Sequence, residues 1–213
     1  MYMKNKIFFI VVIIIIIFSF IFFIKKTDED SINNLMIVAH PDDEMLWGGT
    51  ELINEDYYVV CITCGIDEER EKEFESVMNK TNDEYISLGY VDKTNGERDN
   101  WELYYDSIEK DIKNILNSRK WSKIATHNPD GEYGHIHHIL TSKIVTNNCD
   151  KDKLYYFNKY YTDEELNNQK VIDKELINKK ENILKLYSSQ SSIVSNHYDN
   201  MIREKLIPYK DWN

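Results

Sequence analysis

The chain has 213 residues, with 37 acidic side chains against 26 basic ones, a net charge of −11 and a pI near 5.0. That balance argues against a nucleic-acid partner, because phosphate recognition depends on clustered Lys and Arg. With the first 26 residues set aside, about 180 remain, enough for one domain with a substantial core and too few for a second catalytic domain.

The first element is Ile7 to Ile24, a run of Ile, Val and Phe broken only by Ser19. As a helix it would span roughly 27 Å of hydrocarbon, which predicts a transmembrane anchor over residues 1–26. A cleaved signal peptide has a shorter apolar region of about 7 to 15 residues with small residues at the cut site. Here Lys25-Lys-Thr-Asp-Glu-Asp30 follows instead. Residues 27–34 form a polar linker, and 35–213 the domain. Lys4 and Lys6 on one flank and Lys25 and Lys26 on the other nearly cancel in the positive-inside rule.

Apolar patterns then predict a strand at Leu35 to Ala39, a short helix at Leu46 to Glu55, a strand at Tyr57 to Thr63 and a long charged helix at Asp67 to Leu88. Trp101 to Arg119 has near-helical spacing at Leu103, Tyr104, Ile108, Ile112 and Ile115. A strand at Lys123 to Thr126, a helix from Ile136 to Thr146, a strand at Leu154 to Tyr160 and helical patterns from Asp173 onward complete the order. Such alternation predicts an α/β fold with a Rossmann-like, mostly parallel sheet covered by helices on both faces. Three cysteines, Cys61, Cys64 and Cys149, make no disulfide framework and favour a reducing compartment. Cys61-Ile-Thr-Cys64 lies within an apolar strand pattern and reads as two ordinary strand cysteines.

The chemistry concentrates in His40-Pro-Asp-Asp-Glu44 and His127-Asn-Pro-Asp-Gly-Glu-Tyr-Gly-His-Ile-His-His138, which hold five of the six histidines. Each follows a predicted strand, at the carboxyl end where open α/β sheets form ligand sites. If the two strands are neighbours, the segments together offer nitrogen and carboxylate ligands suited to Zn²⁺, with acid and base groups to spare.

Ala39-His-Pro-Asp-Asp-Glu44 with Gly131-Glu-Tyr-Gly-His-Ile-His-His138 resembles the motif pair of the LmbE-like, or PIG-L, deacetylases, over roughly residues 35–190. The resemblance implies a metal-dependent enzyme that removes the acetyl group from N-acetylglucosamine units of glycolipids or small glycosides, with Zn²⁺ as cofactor and Fe²⁺ as the alternative ion. It assigns His40, Asp43 and His138 as metal ligands, Asp42 as general base and His135 as the donor that meets the oxyanion. It further implies substrate contacts at Arg70, followed by Glu73 as in the family's R-x-x-E, and at Tyr133. Asp130 is a candidate to contact substrate or orient a histidine, and Glu44 to bind backbone N–H groups in its own loop. Tyr187-Ser-Ser-Gln190 resembles a C-terminal S-Q of the family, and His197 reads as structural or surface. The chain departs from the pattern at His137, where the family usually has Asp or Asn that can orient the neighbouring histidine.

The leading expectation is thus a membrane-anchored zinc N-deacetylase acting on an N-acetylglucosaminyl lipid such as N-acetylglucosaminyl-phosphatidylinositol, on an endoplasmic-reticulum-like membrane with its domain facing the cytosol. The alternative is a tethered sugar-binding protein that keeps the metal without turnover, against which stands the retention of Asp42. A metal phosphohydrolase would want more carboxylates or a second metal. For the topology, protease added to intact microsomes should digest the domain, and full protection would reverse the orientation.

Overall fold

Strand β1 (Asn34–Val38) is buried from Leu35 onward, as expected of a continuous apolar run covered on both faces of a parallel sheet. The computed structural model describes residues 32–63, 65 and 67–212. The predicted membrane span, most of the linker and Cys64 lie outside the described residues. After β1 come α1 (Asp43–Asn54), β2 (Tyr57–Cys61), α2 (Glu68–Thr81), β3 (Glu84–Ser87), the short pair β4 (Lys93–Thr94) and β5 (Glu97–Arg98), and α3 (Tyr105–Ser118). Then follow β6 (Lys123–Thr126), a helical turn at Gly131–Gly134, α4 (Ile136–Asn148), β7 (Leu154–Phe157), α5 (Asp163–Leu166), α6 (Lys174–Leu184), α7 (Ser191–Met201) and β8 (Leu206–Pro208).

Among the described residues the main sheet has six strands in the order β3-β2-β1-β6-β7-β8. All its pairs are parallel except β7 with the edge strand β8. Strand order reverses between β1 and β6, so a crevice opens beyond their carboxyl ends. Side chains alternate across β1 as the pleat requires. Met36 and Val38 pack with Met45, Phe74, Val77, Ile183 and Met201 on one face. Leu35 and Ile37 pack with Ile108, Ile112, Ile144 and Val145 on the other. The mostly parallel sheet with helices on both faces is therefore as the alternation predicted.

Helix α1 lies close on β1 because of Gly48, where a Cβ would come within 2.6 Å of Met36 Cε. It is locked from the far side by Lys180, whose buried Nζ donates to the Leu46 carbonyl (2.9 Å), the Met201 carbonyl (3.1 Å) and Glu204. Glu204 in turn accepts from Gly49 N. These bonds tie α6 and the end of α7 to the helix whose amino end forms part of the site.

Several boundaries differ from expectation. The helix predicted over 67–88 ends at Thr81, and Glu84–Ser87 is strand β3. The break is Asn82, left-handed at φ 66°, followed by Asp83, whose Oδ1 accepts from Tyr57 N at 2.7 Å and aligns the next residues with β2. The 101–119 helix starts only at Tyr105, because Trp101 has φ 56° and its indole N–H donates to the Val91 carbonyl at 2.7 Å. The predicted strands 57–63 and 154–160 end at Cys61 and Phe157. Cys61 is buried at the end of β2. Among the described residues no helix is long and apolar enough to cross a membrane.

Burial raises the Asp83 carboxyl to about 6, against the bonds from Thr81 and Tyr57, and its Oδ2 is buried without a partner. A carboxylate whose folded pKa lies above its unfolded value disfavours the fold once ionised. Its cost is absent below about pH 4 and complete above about pH 6. Asp83→Asn should therefore raise the urea midpoint at pH 8 by the equivalent of about 1–3 kcal/mol, with little change near pH 4. A lower midpoint at pH 8 would count against this account.

Candidate metal centre

The site forms where β1 and β6 end. Past β1 the chain turns through His40 and Pro41 into α1, with Asp42 at φ 105° just before the helix. The Asp42 carbonyl accepts from Met45 N (3.1 Å) and Leu46 N (2.8 Å), and Asp42 N donates to Glu44 Oε2 at 3.1 Å. Glu44 is fully buried, accepts from Tyr187 O–H at 2.6 Å, and fixes this loop as expected. Asp43, in the first helical turn, accepts from His40 N (2.8 Å) and Trp47 Nε1 (3.3 Å).

Past β6, His127 and Asn128 are fully buried. Asn128 Oδ1 accepts from Asp130 N (3.0 Å) and Glu132 N (3.2 Å), closing a tight loop. Gly131 in that loop has φ 67°, and a Cβ there would meet Ile139 Cγ1 at 2.6 Å. The loop turns Glu132, itself at φ 54°, inward. Glu132 Oε2 lies 2.9 Å from His127 Nδ1 and 2.6 Å from His138 Nδ1, and Oε1 accepts from Asn128 N at 3.0 Å. Since a carboxylate only accepts, both imidazoles carry their proton on Nδ1. His127 Nε2 is then free to accept from Ala39 N at 3.0 Å, and His138 Nε2 faces the crevice, 3.3 Å from Asp43 Oδ2.

His138 Nε2, His40 Nδ1 and Asp43 Oδ2 form a nearly equilateral triangle. The sides are 3.3 Å between the two nitrogens and 3.1 and 3.3 Å from the oxygen to His40 and His138. Ligands at the usual Zn–N and Zn–O lengths in a tetrahedral site are about 3.3 Å apart, so these three donors fit a zinc ion. Glu132 behind His138 supplies the carboxylate–histidine support such ligands ordinarily have.

The charges agree with a cation site. Burial would raise Asp43, but His138, His127 and His40 hold it well below the usual carboxylate range. Burial would lower His138, but Asp43 and Glu132 raise it to about 10, so without metal a proton occupies the place and is released on metal binding. Burial would raise Glu132 too, yet His127 and His138 bring it to about 2. Asp42 behaves oppositely, with burial and then Asp43 lifting it well above its ordinary value.

His135 caps α4: its Nδ1 accepts from His137 N at 3.2 Å, which leaves Nε2–H as a donor. Burial, His40 and His138 push it down to about 2, so the ring is neutral. Its ring centre is 4.6 Å from that of His40 and 4.4 Å from that of His138. Tyr133, 44 % exposed, covers the rim, stacked on His197 at 4.5 Å. His197 is therefore part of an aromatic wall with Trp47, Tyr133 and Tyr160 and not a bystander. Asp130 is exposed, and the carboxylate that orients histidines is Glu132 instead.

Arg70 donates from Nη2 to the Pro41 carbonyl at 2.9 Å and from Nη1 to Asp92 Oδ2 at 3.4 Å. It lines a cavity of about 360 Å³ with Thr63, Asp92, Lys93 and Gln190. Glu73 accepts from Ser188 Oγ (2.9 Å), Ser189 N (2.7 Å) and Ser189 Oγ (2.6 Å), which carries Gln190 to that cavity.

His137 does not orient His135 through its side chain. Its Nδ1 faces His40 Nε2 at 2.9 Å and its Nε2 faces the Asp99 carbonyl at 2.6 Å, while its ring stacks on Trp101 at 3.9 Å. Burial and His40 push it down to about 3, so it is neutral. Neither His127 nor Glu132 stands out as a site residue in the sequence, although both lie in the second motif. Asp92, Arg98, Asp99 and Trp101 carried no motif at all.

An α/β protein with a histidine–carboxylate centre at the switch point of a parallel sheet is the class that fold and site define. The chain belongs to the PIG-L family: residues 35–149 match the family described as PIG-L: GlcNAc-PI de-N-acetylase. The family is one of deacetylase-type hydrolases acting on N-acetylglucosamine-like substrates, typically with a metal. The chain is 30% identical over 192 residues to Uncharacterized protein L374 of Acanthamoeba polyphaga mimivirus, covering 82% of this chain and 79% of that protein. The crystal structure of GalB, the 4-carboxy-2-hydroxymuconate hydratase from Pseudomonas putida KT2440, superposes with a TM-score of 0.53 at 10% identity, over 79% of this chain and 83% of that one. At that identity the likeness is one of fold alone.

Replacing Glu132 by Gln removes the charge behind His138 while keeping an acceptor. Zinc affinity measured by calorimetry should fall about 10–100-fold, and an unchanged affinity would remove Glu132 from the site.

Proposed function

We propose that the protein is a zinc-dependent N-deacetylase that hydrolyses the acetamide of an N-acetylglucosamine-containing glycolipid such as N-acetylglucosaminyl-phosphatidylinositol. Fe²⁺ is the alternative ion. Residues 7–24 are its single membrane anchor, and the domain from residue 35 works at the cytosolic face of an endoplasmic-reticulum-like membrane. The observation that carries the reading is the His40, Asp43 and His138 triangle with a spare, buried carboxylate on Asp42 beside it.

Zinc held by those three side chains would supply Lewis acidity toward the amide carbonyl and toward water. Asp42, lifted above the ordinary carboxylate range by burial and by Asp43, is suited to take a proton and keep it until needed. It accepts one from the attacking water as the new C–O bond forms. The Nε2–H of His135 donates to the oxygen on which negative charge develops. Asp42 then delivers its proton to the sugar nitrogen as the C–N bond breaks, leaving acetate and a free amine. Glu44 and the Asp42 backbone bonds hold the base in place. Arg70, Tyr133 and Asp130 are read as substrate contacts, with Tyr133 covering the bound sugar.

The purified protein supplied with Zn²⁺ should release acetate, in a comparison of the inositol glycolipid with soluble N-acetylglucosaminides. Asp42→Asn should lower kcat by roughly 10²–10⁴-fold without loss of zinc. Equal turnover by the two proteins would refute Asp42 as the base, and absence of acetate release from every substrate would refute the activity.

A further inference from the structure

His40 faces competing partners for one ring proton on its two sides. Its Nδ1 is 3.1 Å from Asp43 Oδ2, and its Nε2 is 2.9 Å from His137 Nδ1. A proton on Nδ1 would satisfy Asp43 and block the nitrogen that a metal needs. A proton on Nε2 leaves that lone pair beside Asp43 Oδ2 and His138 Nε2. The choice is made at His137. Its Nε2 stands 2.6 Å from the Asp99 carbonyl, which can only accept, so Nε2 bears a proton, and with one proton on the ring Nδ1, 2.9 Å from His40 Nε2, is the acceptor. Asp92 Oδ1, the other acceptor near His40 Nε2 at 3.4 Å, is already paired with Arg98.

The same atoms could be taken for a second metal site, because His40, His135 and His137 bring ring nitrogens within 4.8 Å of one another. A cation is there already. Arg98 Nη1, which can only donate, lies 3.4 Å from His40 Nε2, farther than the 2.9 Å of His137 Nδ1, and is paired with Asp92.

We propose that His137 is a positioning residue for the metal centre: it accepts the Nε2–H of His40, relays that bond to the Asp99 carbonyl, and so holds His40 with its Nδ1 lone pair turned to the metal. Trp101, stacked on the His137 ring at 3.9 Å and 6°, keeps the ring in the plane this requires. Trp101 N is itself held by Asp99 Oδ1 at 2.7 Å, so one short segment supplies both the relay carbonyl and the stacking face. The inference rests on the zinc reading of the site.

Three replacements separate acceptor from packing. His137→Ala removes both, His137→Phe keeps a flat ring for Trp101 without an acceptor, and His137→Asn keeps an acceptor oxygen near the place of Nδ1. Zinc affinity of the full-length protein should fall about 10–100-fold in the Ala and Phe variants and stay within a few-fold of the unsubstituted protein in Asn. In unsubstituted protein labelled with ¹⁵N-histidine, a nitrogen–nitrogen coupling across the hydrogen bond should link His40 Nε2 to His137 Nδ1, with one zinc per chain. Full affinity in the Phe variant, a missing coupling, or two zinc ions per chain would each overturn the proposal while leaving the zinc reading intact. No zinc uptake by the unsubstituted protein would overturn both.

Discussion

The parallel pairing of β1 with β6 is the constraint on which the site depends. The ladder runs to Ile37 opposite Thr126, and Thr126 Oγ1 donates to the Ile37 carbonyl at 2.8 Å. One step further, the bond from Ala39 N to His127 Nε2 continues the stitching with a side chain in place of a strand. Two segments almost ninety residues apart in sequence are thereby brought to one crevice with their ends in register. Glu132 then converts that proximity into chemistry. Its one carboxylate fixes His127, which holds β1, and His138, which presents a nitrogen to the metal position. Backbone register and ligand geometry share a single buried anion.

The run Asp42-Asp43-Glu44 shows how environment divides labour among similar groups. All three are buried, and burial alone would raise each. Asp43 is held low by three imidazoles, which suits a ligand that must stay ionised. Asp42 feels Arg70 and His138 as well, but burial and its neighbour Asp43 outweigh them and raise it, which suits a group that must take and return a proton. Glu44, raised to about 7 by burial, accepts from Tyr187 and from the backbone of Asp42 and keeps the run in shape. Tyr187 and Lys180 belong to the C-terminal part of the chain, so that part supports the site without supplying its ligands.

Much of this could be anticipated. Apolar runs bounded by His40 and His127 mark strand ends, and the motif pair identifies the family. The less legible parts are those whose conformation is set by contacts. Residues 84–87 look helical because Tyr85 and Ile86 continue an apolar spacing, yet Asp83 bonds Tyr57 N and turns them into a sheet edge. The sequence pointed to Asp130 as the orienting carboxylate, and the structure puts Glu132 in that place. Only the left-handed turn at Gly131 and Glu132 decides which one faces inward. His137 looked like a departure that would weaken His135, whereas its ring serves His40, because helix α4 turns it toward Trp101.

By itself the sequence determined the family and most of the strand–helix alternation, and it offered the histidine and carboxylate side chains of the candidate site, since these depend on residue identity and on local periodicity. The tertiary structure alone decided which nitrogens of His127 and His138 face Glu132, which carboxylate supports which histidine, and that Asp92 and Arg98 border His40 while Asp99 and Trp101 hold His137. Those outcomes depend on hydrogen-bond contacts between residues far apart in the chain. Local sequence does not encode such contacts until the sheet has closed.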